Sequence, residues 1–88
     1  MPLNITDPTA DLCQALVESI EGAIEGSKAQ ASGGGGHFTL VVESAAFEGK
    51  NTLAKQRMVL KAISHLMKGD NAPVHAIDKI ETRVPDAS

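Results

Sequence analysis

Tryptophan and tyrosine are missing from this chain, and Phe38 and Phe47 are its only aromatic residues. A core must therefore be built from Leu, Ile, Val, Met and Ala. Cysteine is nearly absent as well. Cys13 stands alone, so no intrachain disulfide forms, and a reducing, cytoplasmic compartment is expected. Apolar runs are short, and none approaches the roughly 20 residues that cross a bilayer. The opening stretch MPLNITDPTADLC has no basic segment leading into an apolar one, so neither a secretory signal nor a membrane partner is expected. Positive charge is in deficit: 8 Lys and Arg against 11 Asp and Glu leave a net charge of −3. That balance supplies no general attraction to nucleic acid, although it permits a local basic face.

What is present suits one small globular domain. The 88 residues, 42% of them hydrophobic, exceed what a disordered chain carries. A domain of this size buries roughly 60 to 65% of its unfolded surface. We expect residues 1–88 to form that single domain, with 1–7 and 85–88 as flexible tails.

A first helix begins where Asp7 offers a capping carboxylate and Pro8 takes the first helical position. Leu12, Leu16, Ile20 and Ile24 then recur every four residues, with Cys13 and Val17 beside them, which makes one apolar stripe. Cys13 reads as a small buried hydrophobe. Gly22 weakens this helix and Gly26 ends it. SKAQAS, residues 27–32, is a weak strand candidate. Residues 37–44 are a clearer one: Phe38, Leu40 and Val42 alternate with His37, Thr39, Val41 and Glu43, so His37 points away from the core at the strand's mouth. SAAFEG, residues 44–49, predicts a short turn or a single helical turn, with Phe47 plugging the core.

A second long helix runs from Asn51, a good N-cap, to Lys68, with Gly69 as its stop. At about 100° per residue, Leu53, Val59, Leu60, Ile63, Leu66 and Met67 gather on one side. Lys50, Arg57, Lys61, His65 and Lys68 gather on another, as a basic stripe suited to an anionic or acidic partner. His65 reads as a surface residue. The last element, residues 74–84, is a strand whose phase slips, because His75 and Ile77 share a face that strict alternation denies to Ile80. A β-bulge at Asp78-Lys79 restores it, and Pro85 ends the strand. Helix, weak strand, strand, helix and strand in that order predict an α+β domain, its helices packed on one face of a three-stranded mixed sheet.

The sharpest local feature is Gly33, Gly34, Gly35 and Gly36 placed directly before His37. A phosphate cradle needs such glycines to lead into a helix N-terminus, whereas these lead into a strand. A G-x-x-G clamp on nucleic-acid backbone matches formally, but that loop joins two helices, and the equivalent stretch here, EGKN, holds Gly49 alone. Metal ligation is the third reading. His37 and His75 follow or begin strands, and neutral imidazole suits iron and zinc. Two imidazoles make a poor structural zinc site but can supply half of a shared one, as the two histidines of a Rieske centre do. Solvent-exposed histidines without a ligand role are the other reading that spacing leaves open.

The Gly-rich loop ending in His37-Phe38, the SAAFEGK turn, the helix start around Lys55-Gln56-Arg57 and the triplet Val74-His75-Ala76 together resemble the BolA family, especially its IbaG-like branch, over residues 32–77. The resemblance implies an α+β fold similar to a class II KH domain without its G-x-x-G loop. It also implies partnership with a monothiol glutaredoxin and a [2Fe-2S] cluster held between the two proteins, in iron–sulfur trafficking and iron regulation. His75 matches the histidine of the family's C-terminal strand and His37 that of its variable loop. The glutaredoxin would supply a cysteine and glutathione another thiolate. Several positions depart from the pattern: Lys55-Gln56 stands where many members carry Arg-His, Leu60 replaces a frequent tyrosine, and PDAS follows the last strand in place of a Glu-Trp segment.

These readings give a non-enzymatic partner protein with His37 and His75 as metal ligands. Gly33 to Gly36 and the cations Lys50, Arg57, Lys61 and Lys68 form its partner-facing surface. No nucleophile with an orienting base and no cofactor fingerprint is present, so catalysis is not expected. The isolated chain is expected to hold no cofactor, and its homodimerisation stays open. The alternative is a nucleic-acid-binding regulator using the basic stripe.

Overall fold

The computed structural model describes residues 8–69 and 72–85. The cap assigned to Asp7, the expected tail at 1–7 and residues 86–88 of the expected tail at 85–88 lie outside the described residues. The element order is α1 (Pro8–Ala23), β1 (Lys28–Gly34), β2 (His37–Glu43), a 3-10 turn η1 (Ala45–Phe47), α2 (Thr52–Met67) and β3 (Ala76–Arg83). The strands form one sheet in the order β1-β2-β3, with β1 antiparallel and β3 parallel to β2. This is the expected α+β arrangement.

The helix ends follow local chemistry. Asn51 Oδ1 accepts the Ala54 N–H at 2.8 Å, satisfying one of the unpaired donors of the first turn of α2. Gly69 then turns the chain with φ of 94°. Ser44, wholly buried, accepts the Ala46 N–H at 3.0 Å and so starts η1, which drives Phe47 to zero exposure. Glu21 near the end of α1 accepts the Ala29 N–H at 2.9 Å and ties the helix to β1.

Both helices cover one face of the sheet. Leu16, Ile20 and Ile24 of the first helix and its exit meet Val59, Ala62 and Ile63 of α2 above Phe38, Leu40 and Val42 of β2. Cys13 is half-buried against this core, less enclosed than its place on the stripe suggested. Two residues assigned to the core side of α2 lie elsewhere. Leu53 is 56% exposed and Leu60 38%, because they stand about 120° and 100° around the helix from Val59, on the flank of the buried stripe.

The phase slip in the last strand is resolved as expected. Phe38 pairs with Ile77 and Thr39 with Lys79, leaving Asp78 as the extra residue of a bulge. Ile77 and Ile80 therefore both pack against the core.

Candidate functional site

The glycine run is a tight β-hairpin. Gly33 pairs with Phe38 and Gly34 with His37, so two of the glycines belong to β1, and Gly35 and Gly36 make the two-residue connection. Their φ values of 65° and 86° meet the requirement of a type I′ turn, positive φ at both central positions. The run is thus a structured turn. Its last carbonyl is fixed as well, since Gly36 O accepts the N–H groups of His75 at 2.8 Å and Ala76 at 3.0 Å. This pair of bonds fastens the hairpin tip to the entrance of β3.

His75 stands one residue before β3, not within it as the sequence suggested. Its ring lies along Gly36, where a Cβ would fall 2.1 Å from Cδ2. Glycine is needed here for space as well as for backbone conformation. His37 opens β2 and pairs with Ala76, the neighbour of His75. Strand spacing and one Cα–Cα step then keep the two histidine Cα atoms within roughly 9 Å. Both side chains are solvent-exposed.

Asp78 completes the site, and no motif pointed to it. Its carboxylate accepts a hydrogen bond from His37 Nδ1 at 3.1 Å. A carboxylate can only accept, so Nδ1 carries the hydrogen, and in the neutral ring Nε2 keeps its lone pair for a ligand. The bulge was the available signal, because an extra residue re-aims a side chain out of the ladder.

The glycines, His37 and His75 are brought together at one end of the sheet. The predicted cations are not part of that cluster. Lys50 precedes the cap of α2, Arg57 and Lys61 lie on the helix and Lys68 caps its far end, all exposed. Lys68 is at the histidine end, where Val74 N donates to Leu66 O at 3.3 Å. His65, at the surface as expected, meets Ser19 Oγ through Nε2 at 3.1 Å and ties α2 to α1.

Among the described residues, no group of three or more His, Cys, Asp and Glu side chains is gathered for a metal ion. The lone cysteine sits in α1. Two imidazoles fit half of a shared site, whose thiolates would come from another molecule.

The BolA-like protein family model matches residues 14–87. A BolA homologue from Coxiella burnetii is 32% identical, with a TM-score of 0.71, over 83% of this chain and 90% of its own. BolA1 from Mus musculus is 29% identical, with a TM-score of 0.61, over 97% of this chain and 71% of its own. BolA1 from Arabidopsis thaliana is similar in fold, with a TM-score of 0.68 at 20% identity, covering 96% of this chain and 99% of that one. No curated protein matches. The match across nearly the whole chain and the fold shared with these structures agree: the chain belongs to the BolA-like family.

Proposed function

We propose that this chain is a non-enzymatic partner of a monothiol glutaredoxin, and that His37 and His75 help to ligate a [2Fe-2S] cluster held between the two proteins. The observation that carries the reading is the placing of two exposed histidines beside the Gly35-Gly36 turn, on neighbouring chain segments, with one imidazole already oriented by a carboxylate. A ligating histidine commonly donates its other ring N–H to such a group, which fixes its tautomer. Gly36 leaves room for the His75 ring, and the turn presents no side chain to a docking protein. The cysteine of the glutaredoxin and the thiolate of glutathione complete the ligand set, and the pair serves iron–sulfur trafficking and iron regulation.

The test is anaerobic reconstitution with a monothiol glutaredoxin and glutathione, read by visible absorbance and circular dichroism. His75→Ala and His37→Ala should each change the spectrum and shorten cluster lifetime, with His75→Ala the more damaging. An unchanged spectrum and lifetime in the double variant would remove both residues from the ligand set.

The exposure of Arg57, Lys61 and Lys68 along α2 favours a second reading, a nucleic-acid-binding regulator. Phosphate contacts release counterions, so binding by that row would fall steeply with salt. A row of cations without amides aimed at base edges suits an acidic protein surface better than sequence readout.

A further inference from the structure

We propose that two copies of this chain associate through the outer edge of β3, about a two-fold axis at Ile80, into a continuous six-stranded sheet. The outer strand of the sheet is β3, and among the described residues no strand covers its far edge. Such an edge presents unpaired backbone donors and acceptors to any strand of suitable pattern. The pattern on this edge is its own complement.

Beyond the bulge, Lys79, Glu81 and Arg83 lie opposite Thr39, Val41 and Glu43 on the face away from the helices, while Ile80 pairs with Leu40 on the helix face. Residues opposite each other in an antiparallel pair share a face, so a two-fold that keeps both sets of helices on one side must pass through a residue pair. An axis at Ile80 sets Lys79 of each copy against Glu81 of the other, which makes two cross-strand pairs of opposite charge. An axis at Glu81 would face Glu81 with itself and Lys79 with Arg83. An axis at Lys79 would face two lysines. An axis at Thr82 pairs Glu81 with Arg83 but overlaps a shorter length of strand. Charge therefore selects one register among those the pleat allows. Among the described residues Lys79 makes no ion pair, and Glu81, held by Arg83 of its own strand, would share its carboxylate between the two cations.

The helix side of the same edge carries a groove of about 390 Å³ between α2 and β3, where Leu60, Ile77 and Ile80 supply apolar surface and Gln56, Asp78 and Lys79 polar surface. Leu53, seven residues before Leu60 and so on the same flank of the helix, is 56% exposed. With the axis at Ile80, the two Ile80 side chains meet beneath this flank, and the exposed leucines of the two α2 helices turn toward one another. The second copy explains both the charge order of β3 and the apolar residues that the fold leaves in solvent.

Sedimentation velocity across micromolar to millimolar concentration tests this, with circular dichroism confirming that each variant is folded. A reversible monomer–dimer equilibrium is expected. Lys79→Glu and Glu81→Lys should each weaken it by about tenfold or more, since each places like charges opposite one another twice. The double variant should restore dimerisation to near the wild-type level. In the unmodified chain, the amides of residues 79–83 should gain hydrogen-exchange protection as concentration rises. A monomer at every concentration, a double variant as weak as its parents, or protection independent of concentration would overturn the proposal, including the case in which a different protein takes this edge.

Discussion

At the scale of single residues, neighbouring glycines have different duties. A Cβ at Gly36 would strike the His75 ring at 2.1 Å, and its φ is 86°. Gly36→Ala should therefore cost about 1–3 kcal/mol, from strain at positive φ and the displaced imidazole, read as a shift in urea midpoint. Gly35 has nothing within 4 Å of its Cβ position, and asparagine tolerates the left-handed region. Gly35→Asn should stay within roughly 0.5 kcal/mol of the parent. Gly22 lies inside α1 with open space around it, so Gly22→Ala should stabilise by roughly 0.5–1 kcal/mol. Asp78→Ala tests a different property. Its bond to His37 joins side chains that are 60% and 59% exposed, so about 0–1 kcal/mol of stability is at stake. The imidazole 15N shifts of His37 should nevertheless change as Nδ1 loses its acceptor.

At the scale of elements, the bulge and the caps decide how strands and helices meet. Deleting Asp78 should leave a folded protein with cooperative unfolding, because Ile77, Lys79 and Ile80 then alternate without interruption and Ile80 still faces the core. The ladder survives and the contact to His37 is lost, so the deletion separates the bulge's role in the site from its role in the fold. Broad loss of amide dispersion in the NMR spectrum would show that the bulge is needed for folding itself. At the start of α2, Asn51 holds the Ala54 N–H at 2.8 Å. Asn51→Ala should cost about 1 kcal/mol, measured by chemical denaturation.

For the whole molecule, the scarcity of aromatics concentrates stability in few places. Phe38 and Phe47 are 1% and 0% exposed and join the two ends of one core. Phe47→Ala should remove about 3–5 kcal/mol from a total of about 5–15 kcal/mol. The midpoint of thermal unfolding should fall by roughly 15 °C or more. The cations of α2 act on a longer range. With a net charge of −3 on the chain, charge reversal at Lys61 and Lys68 should slow association with an acidic partner and flatten its salt dependence, measured by stopped flow.

Local pattern by itself determined the helices, the clear strand, the η1 turn and the bulge, because each is written in a period or a cap within a few residues. Phe38, Leu40 and Val42 could face only one way, and Ile77 and Ile80 could share a face only across an extra residue. What pattern could not decide was anything set by pairing. Four glycines in a row carry no period of their own, and only the pairing of β1 through Gly34 leaves two of them to turn. Leu53 and Leu60 count as core on a helical wheel, but which flank is covered depends on how α2 sits over the sheet. Asp78 reached His37 only because parallel pairing set β3 beside β2 in that register. Hydrophobic periodicity is a property of one segment, whereas register, flank and the placing of His37 beside the entrance of β3 arise when segments far apart in the chain satisfy each other's hydrogen bonds.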